Sequence, residues 1–334
     1  MIVNPLSSAY GAAASWRRRW YARDPARVRR LTRPVVSVGN LRAGGSGKTP
    51  VVACLARLLL AHGERPSILT RGYGRRRSPD AVTVVSNGSQ ILADVDRAGD
   101  EPLMLARALP GVPVLVGASR FESGRFAEQH FGVTVHLLDD GFQHVALARD
   151  ADLLLVDESD LRERVLPLGR LREPLANAAA ADALLVTAAD ANAVGRLAEA
   201  LGVATAFRVT RTISQARPLV GHAQPERQRA AFAFAGIARA DRFFADLSRS
   251  GWRLAGRAPF RDHHRFTQRD IDGLVAAARG VGADMLLTTE KDAVRLEALD
   301  TRAIPIGVVP LTAAVEPPEV FAAWLMDRIR VRRP

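Results

Sequence analysis

We expect an α/β fold from this sequence, with a mainly parallel sheet flanked by helices and a second, smaller α/β domain. From residue 34 onward, short runs rich in valine and leucine alternate with segments whose apolar residues recur at helical spacing. Strands that are apolar throughout are typical of parallel sheets, because helices cover both faces of such sheets. A polar stretch with two prolines at 212–229 divides the pattern, so two domains are expected.

Residues 34–211 are expected to form the first domain. Along 47–63, apolar residues recur every three or four positions and Gly63 suits the helix end. Short apolar runs bounded by glycine, proline or charged residues mark the strands. In chain order, the expected elements are strand 34–41, helix 47–63, strand 66–70, helix 100–109, strand 112–117, helix 119–131, strand 133–140, strand 151–159 and strand 181–190.

Residues 212–229 are expected to form a linker, and residues 230–334 the smaller C-terminal α/β domain. The same criteria, apolar runs for strands and helical spacing for helices, define its elements. In chain order, these are strand 230–237, helix 238–251, helix 267–282, strand 283–289, helix 290–299, strand 303–309 and helix 318–333.

The composition indicates a folded protein with an anionic partner. Hydrophobic residues make up 48% of the chain and charged residues 25%, as in ordinary globular domains. The single cysteine, Cys54, excludes an internal disulfide and a cysteine-rich metal site. The net charge of +12 points to phosphate, nucleic acid or a membrane, although arginine-rich codon usage would give the same charge.

Residues 1–33 form a basic segment that we expect to associate with an anionic membrane surface. Trp16, Trp20 and Tyr21 lie among arginines, and such rings and guanidinium groups suit the headgroup region of a bilayer. A solvated basic helix packed on the domain is the alternative. A nucleic-acid partner is disfavoured, because no RNA- or DNA-binding motif follows. No obligate protein partner is evident, and no apolar run approaches the roughly 18 residues of a spanning helix.

The stretch AGGSGKT at 43–49 predicts a phosphate-binding loop of a deviant type. The usual template would place a glycine at position 42, where this chain has Arg42. A glycine pair can replace it, because glycines let backbone N–H groups turn toward phosphate oxygens while the next helix directs its N-terminus at the anion. Lys48 would then reach the phosphates and Thr49 would bind Mg²⁺. The expected nucleotide-binding residues are Gly44, Gly45, Ser46, Gly47, Lys48 and Thr49. A preceding strand and a following helix favour a P-loop NTPase-type fold over a glycine turn without a ligand.

Two pairs of acidic residues lie where metal ligands are expected. Asp139 and Asp140 end the strand 133–140, at the sheet edge where parallel sheets bind ligands, and an acid there can reach Mg²⁺. The sequence DDG is also a common turn. Asp100 and Glu101 begin a helix, where a helix cap with a first-turn acid would fit, and so would a base or a metal ligand.

Two further motifs carry chemically active side chains. The triplet Asp262, His263 and His264 could bind a metal or supply a base with its orienting partner, and residues adjacent in a strand point to opposite faces. The stretch TTEKDAVRL at 288–296 holds Lys291, one of only two lysines in the chain. A buried ion pair and a contact to nucleotide or phosphate are both open for it.

Taken together, these stretches resemble one family over nearly the whole chain, the tetraacyldisaccharide 4′-kinases, which are the lipid A 4′-kinases of Gram-negative bacteria. The matching stretches are GNLRAGGSGKTPVV (39–52), LTRGYGR (69–75), GDEPLMLA (99–106), SR (119–120), LLDDGFQH (137–144), LPLGRLREP (166–174), FAGIARADRFF (234–244), DHHRF (262–266) and TTEKDAVRL (288–296). Each motif is of moderate specificity alone. Their common order makes the resemblance highly specific.

The resemblance implies an ATP- and Mg²⁺-dependent kinase that transfers the γ-phosphate of ATP to the 4′-hydroxyl of tetraacyldisaccharide 1-phosphate. It also implies two α/β domains with the active site between them, and attachment to the cytoplasmic face of the inner membrane. Asp100 resembles the catalytic base and His263 its partner, with His264 not separated from His263 by sequence. The other implied site residues are Lys48 and Arg120 for phosphate charge, Thr49, Glu101, Asp139 and Asp140 for the metal, and Gln143, His144 and Glu173 near the site.

One competing function is a P-loop switch ATPase or GTPase of the partition or metal-insertion kind, which shares the GGxGKT loop. Such switches usually carry a lysine just before the glycine pair, where this chain has Ala43. They also give no reason for the GDEP and DHH motifs. The kinase is therefore the favoured function.

Overall fold

The computed structural model describes residues 5–44, 47–73, 75, 81–188, 190, 192–219, 221 and 223–330. The helices are α1 (Pro5–Ala22), α2 (Lys48–Ala61), α3 (Val95–Ala98), α4 (Asp100–Ala108), α5 (Arg120–Phe131), α6 (Asn192–Leu201), α7 (Ala240–Arg249), α8 (Gln268–Gly280), α9 (Glu290–Ala293) and α10 (Pro318–Arg330). The strands are β1 (Val35–Gly39), β2 (Pro66–Thr70), β3 (Val82–Asn87), β4 (Pro113–Gly117), β5 (Val135–Asp139), β6 (Ala151–Val156), β7 (Ala183–Val186), β8 (Ala206–Ile213), β9 (Arg217–Pro218), β10 (Ala231–Ala235), β11 (Leu254–Pro259), β12 (Met285–Thr289), β13 (Ile306–Val309) and β14 (Leu311–Glu316). Three 3₁₀ segments are also described: Pro25–Arg27, Glu158–Arg162 and Leu175–Ala180.

The described residues form one large sheet in the order β14-β8-β7-β6-β1-β5-β2-β4-β3. Its inner strands run parallel, and the two edge strands, β3 and β14, run antiparallel to their neighbours. Strands β1, β5 and β6 are buried at every position because helices cover both faces of the sheet. The expected α/β fold with a mainly parallel sheet is confirmed.

A smaller sheet in the order β11-β10-β12-β13-β9 carries the second part of the chain. Its strands are parallel except for the short β9. Helix α7 packs its apolar side on one face of this sheet and helix α8 covers the other, so two separate apolar clusters form. The smaller sheet brings the turn after β11 and helix α9 toward the large sheet.

The end of the chain returns to the large sheet, which differs from the expected extent of the C-terminal domain at 230–334. Strand β14 pairs with β8 from Leu311 to Glu316, and α10 buries Phe321 and Leu325 in the main core. The apolar stripe of α10 therefore covers the first sheet. The expected linker at 212–229 contains the end of β8 and the short β9.

Several elements differ from the expected boundaries. Strands β3, β8, β11 and β14 were not expected, because their sequences alternate or mix residue types and do not form apolar runs. Helix α6 was not expected either, although its buried residues Ala193, Leu197 and Leu201 recur at helical spacing. The expected helix 290–299 is shorter, and α9 ends at Ala293. Among the described residues, no helix combines the length and apolar character needed to cross a membrane.

Candidate active site

The phosphate-binding loop connects β1 to α2, as expected for its sequence. Gly44 and Gly47 have φ values of 90° and 77°, a left-handed conformation that favours glycine. A Cβ on Gly47 would lie 2.6 Å from the guanidinium carbon of Arg211, so the backbone here passes close to that side chain. Helix α2 begins at Lys48, and Thr49 is buried in its first turn. Gly45 and Ser46 lie outside the described residues.

The Lys48 ammonium is held toward the acidic edge of the large sheet. Its Nζ donates to Asn40 Oδ1 at 2.8 Å and lies 3.2 Å from Asp140 Oδ1. Asn40 follows β1, and Asp140 follows the adjacent strand β5. The parallel pairing of β1 with β5 therefore brings the loop lysine and the acidic pair together, as the sequence predicted.

Asp139 and Asp140 have opposite electrostatic environments. Burial and the nearby charge of Glu101 raise the pKa of Asp139 to about 7, and its Oδ1 has no hydrogen-bond partner among the described residues. Burial also acts on Asp140, but Lys48 and Arg172 outweigh it and hold the pKa of Asp140 well below its usual range. Arg172 binds both carboxylate oxygens of Asp140, at 2.7 and 2.8 Å.

The oxygen atoms beside the loop suit a magnesium ion that is shared with a bound nucleotide. They do not suit a metal ion that is held by protein side chains alone. Within the part of the chain that the structure describes, no group of three or more His, Cys, Asp and Glu side chains is arranged to hold a metal. Mg²⁺ in nucleotide sites is usually held by one or two carboxylates together with substrate phosphates and water. The Thr49 hydroxyl is a ligand of that kind, and so is the buried Asp139 oxygen that no other described residue contacts by a hydrogen bond.

Asp100 and His263 meet across the gap between the two sheets. Asp100 is the first residue of α4, and His263 lies in the turn after β11 with a left-handed φ of 57°. The Nδ1 atom of His263 is 2.8 Å from Asp100 Oδ2. Burial would raise the pKa of Asp100, but the His263 hydrogen bond and the charges of Lys291 and Arg295 hold that pKa well below its usual range.

His264 faces away from this pair. Its Nε2 lies 3.2 Å from Asp270 Oδ2, and its ring packs against Phe260 and Phe266. The two adjacent histidines therefore have different surroundings, and His263 is the one that reaches the gap between the sheets.

Lys291 joins the acidic residues on both sides of the gap. Its Nζ lies 3.0 Å from Glu101 Oε1, 3.4 Å from Asp262 Oδ1 and 3.3 Å from His263 Nε2. Of the two alternatives that the sequence left open for Lys291, the ion pair is present. Arg295, four residues further along and just past the end of α9, binds Asp100. Sequence reasoning did not identify Arg295, although it lies in the motif quoted for the family resemblance.

Arg120, Gln143 and His144 surround the acidic edge. Burial lowers the pKa of Arg120 to about 10, with Asp139 and Asp140 acting in the opposite direction. Its Nη1 donates to Gly117 O at 3.1 Å. Gln143 Nε2 donates to the Asn40 carbonyl at 3.0 Å. Burial and the charges of neighbouring arginines lower the pKa of His144 to about 4, so this imidazole is neutral at pH 7.

Glu173 pairs with Arg18 of helix α1, which also contacts the loop that follows Asp140. The Arg18 guanidinium binds both of its carboxylate oxygens, at 2.9 and 3.0 Å, and Asn177 donates to it at 2.8 Å. Arg18 also donates to Phe142 O at 2.9 Å, and Arg17 donates to Gln143 O at the same distance. The charge of Glu173 is therefore paired with an arginine of the N-terminal helix.

A cavity of about 230 Å³ lies between the two sheets, beside the phosphate-binding loop. The loop side of its wall includes Gly47 and Thr49, and Glu101 and Lys291 line it near the Asp100–His263 pair. Apolar side chains of both sheets complete the wall with three arginines. These residues are Met104, Ile213, Phe243, Arg211, Arg239 and Arg242. An elongated ligand with an anionic end and a flat apolar part would suit this lining.

Comparisons with known proteins agree with this geometry. The family described as tetraacyldisaccharide-1-P 4′-kinase matches residues 1–330. The tetraacyldisaccharide 4′-kinase of Koribacter versatilis is 41% identical over 316 residues, which cover 93% of this chain and 93% of that protein. The enzyme of the same name from Geobacter metallireducens is 40% identical over 319 residues, with 92% and 91% of the two chains covered.

A solved structure shows that the likeness extends to the fold. A crystal structure of LpxK from Aquifex aeolicus in complex with ATP matches with a TM-score of 0.78 at 30% identity, covering 97% of this chain and 98% of that one. The family match extends over the ordered series of motifs, the phosphate-binding loop and the facing Asp100–His263 pair. The chain therefore belongs to the tetraacyldisaccharide-1-P 4′-kinase family.

Proposed function

We propose that this protein transfers the γ-phosphate of ATP to the 4′-hydroxyl of tetraacyldisaccharide 1-phosphate, a step of lipid A biosynthesis, with Mg²⁺ as the metal. The observation that carries the proposal is the Asp100–His263 pair, which lies next to Glu101 and Lys291 in the wall of the cavity that the phosphate-binding loop also lines. A switch ATPase needs no such pair, because it does not deprotonate an alcohol. A sugar hydroxyl attacks a phosphoryl group efficiently only when a positioned group accepts its proton.

The geometry favours His263 as the base and Asp100 as its orienting partner, the reverse of the roles that the family resemblance implied. The side chain of Asp100 is 6% exposed, and its Oδ2 already accepts from His263 and Arg295. A carboxylate whose pKa is held far below its usual range is a weak proton acceptor. The side chain of His263 is 30% exposed, and its Nδ1 donates to Asp100. Its Nε2 lies 3.3 Å from Lys291 Nζ and would accept the hydroxyl proton once that contact opens.

The remaining site residues have distinct roles in this proposal. Backbone N–H groups of the loop and the Lys48 ammonium bind the phosphates, and Arg120 offsets charge near the acidic edge. Thr49, Asp139 and Asp140 would hold Mg²⁺, together with Glu101 once its contact with Lys291 opens. The bound ion would neutralise charge on the β- and γ-phosphates. Gln143 and His144 lie beside these ligands and can contact the acceptor.

The experiment that tests this function measures ATP consumption with and without tetraacyldisaccharide 1-phosphate in detergent micelles. We expect little turnover without the lipid, and one phosphorylated lipid for each ATP consumed in its presence. ATP turnover that does not depend on the lipid would instead support the switch ATPase.

We also propose that α1 docks on the cytoplasmic face of the inner membrane. Leu6, Tyr10, Trp16 and Trp20 are exposed on this helix. Aromatic and leucine side chains among arginines suit the interface of an anionic bilayer. Because Arg18 ties α1 to the loop after Asp140, a docked helix would place the site beside the lipid headgroups.

We expect the double substitution Leu6→Ser and Trp16→Ser to weaken binding to vesicles that contain anionic lipid by about tenfold or more, since each buried CH₂ contributes about 0.8 kcal/mol. Sedimentation with phosphatidylglycerol vesicles measures this. Val320→Ser on α10 is the matched control, since Val320 is 57% exposed and Trp16 is 59% exposed. If both variants lose vesicle affinity to the same extent, the loss is not specific to α1, and α1 is not the docking surface.

A further inference from the structure

Arg295 contacts Asp100 directly and also reaches the backbone beside His263. Its Nη2 donates to Asp100 Oδ2, the oxygen that also accepts from His263. Its Nη1 lies 3.1 Å from the Gly236 carbonyl and 3.4 Å from the His264 carbonyl. A single guanidinium thus reaches the carboxylate on the large-sheet side and the backbone that carries the histidine on the other side.

The Gly236 carbonyl connects this guanidinium to the His263 turn. The His263 backbone N–H donates to Gly236 O at 3.1 Å, so Arg295 and His263 share one acceptor. A Cβ at position 236 would lie 3.0 Å from Asp292 Oδ1 and 3.2 Å from the His264 Cβ, which leaves little space for a side chain. The left-handed backbone of His263 is therefore packed against a closely fitted strand end.

Asp292 fixes the guanidinium from behind. Its Oδ1 lies 3.0 Å from Arg295 Nη1, and its Oδ2 accepts from the Gly236 N–H at 3.0 Å and from the Thr289 hydroxyl at 2.7 Å. The side chain of Asp292 has no exposed surface, and that of Arg295 is 6% exposed. A planar guanidinium with two defined partners can hold two groups at a set separation, which a flexible ammonium cannot do as well.

We propose that Arg295 is a positioning residue of the phosphoryl transfer, which holds the Asp100 carboxylate and the His263 turn in a fixed relation so that Nε2 faces the acceptor hydroxyl. The inference rests on the proposed function, because it assigns Arg295 to the base of that reaction. It differs from an ordinary ion pair between domains, whose loss would lower stability without acting through Asp100.

The test is a double-mutant cycle with Arg295→Met and Asp100→Asn, read as kcat and KM for lipid and ATP in the micelle assay. We expect Arg295→Met alone to lower kcat by about 50-fold or more with little change in either KM. In the Asp100→Asn background, Arg295→Met should lower kcat by less than about threefold further, because the effects of residues that act as a unit are not additive. Arg295→Lys keeps the charge but not the planar fork, so its kcat should lie between the Met variant and the wild type.

The controls separate positioning from folding. Arg302→Met removes an arginine whose side chain is 88% exposed and should leave kcat within about twofold. If Arg295→Met does not fold, Asp292→Asn can replace it, because this change weakens the contact that holds Arg295 while keeping the guanidinium. We expect Asp292→Asn to lower kcat by a smaller factor than Arg295→Met. That loss should also vanish in the Asp100→Asn background. If the losses of kcat in the two single variants add in full in the double variant, or if Arg295→Met changes only KM, the inference is wrong.

The same variants read by thermal unfolding in the absence of substrates report the Arg295–Asp100 contact independently of any reaction. We expect the double variant to lose less stability than the sum of the losses in the two single variants. Additive losses of stability would reject the contact itself. ATP turnover by the wild type that does not depend on the lipid acceptor would reject the proposed function. The thermal-unfolding cycle would still test the contact between Arg295 and Asp100.

Discussion

We expect His263→Ala to lower kcat by about 10²- to 10⁴-fold, the range that a general base contributes, with little change in KM for ATP. The reason is that Nε2 of His263 accepts the hydroxyl proton in the proposed reaction, whereas Lys48 and the glycine loop bind the nucleotide phosphates. The measurement is steady-state kinetics with lipid acceptor in micelles, together with ATP binding by calorimetry.

The adjacent histidine supplies the control. His264→Ala removes a ring that packs on Phe260 and Phe266 and binds Asp270, so it should lower the melting temperature while kcat stays within about fivefold. A comparable loss of kcat in both variants would contradict the assignment of the base. Weakened ATP binding in His263→Ala would show that the residue acts on the nucleotide.

We expect Asp139→Asn to abolish most of the activity while making the metal-free protein more stable. An ionised, buried carboxylate with an unpartnered oxygen costs free energy in the folded state, and a neutral amide removes that cost, on the order of 2 kcal/mol. Turnover should fall because an amide is a poorer magnesium ligand than a carboxylate. Thermal unfolding in EDTA and the micelle assay measure the two effects.

The pH dependence of this effect has a defined sign. The pKa of Asp139 is raised in the folded protein to about 7, so folding favours the protonated form. Metal-free wild type should therefore lose stability as the pH rises from about 4 to 7, and Asp139→Asn should lack this contribution. The gain from Asp139→Asn should be largest above pH 7.

Asp140→Asn provides the contrast at the neighbouring position. Lys48 and Arg172 hold the Asp140 carboxylate as an anion, so its loss should lower the melting temperature in EDTA. Opposite signs for adjacent aspartates would support the charge distribution described above. A destabilised Asp139→Asn variant in EDTA would contradict it.

Local sequence was sufficient to predict the succession of strand, glycine loop and helix, and the acids at the end of β5. Strand β1, the glycine loop and α2 follow one another in the chain, and the parallel rule places the end of β5 at the same edge. The α/β fold and the family were likewise predicted, and the topology and the family match confirm them. Lys48 and Asp140 are in contact because strands that are both apolar and buried pair in parallel.

Long-range packing decided the features that the sequence left open. His263 and His264 are equivalent by pattern, and only the turn after β11 shows which one meets Asp100. Glu173 pairs with Arg18 of α1, which lies 155 positions away in the chain. Such pairings depend on how separate elements are brought together, which periodicity does not report.

The chain order of residues therefore defines the loop, the helix starts and the acids at strand ends, because these depend on neighbours within a few positions. The tertiary structure defines the Asp100–His263–Arg295 arrangement, because it joins residues from two sheets. It also defines the return of β14 and α10 to the large sheet, since an apolar stripe does not specify which surface will cover it.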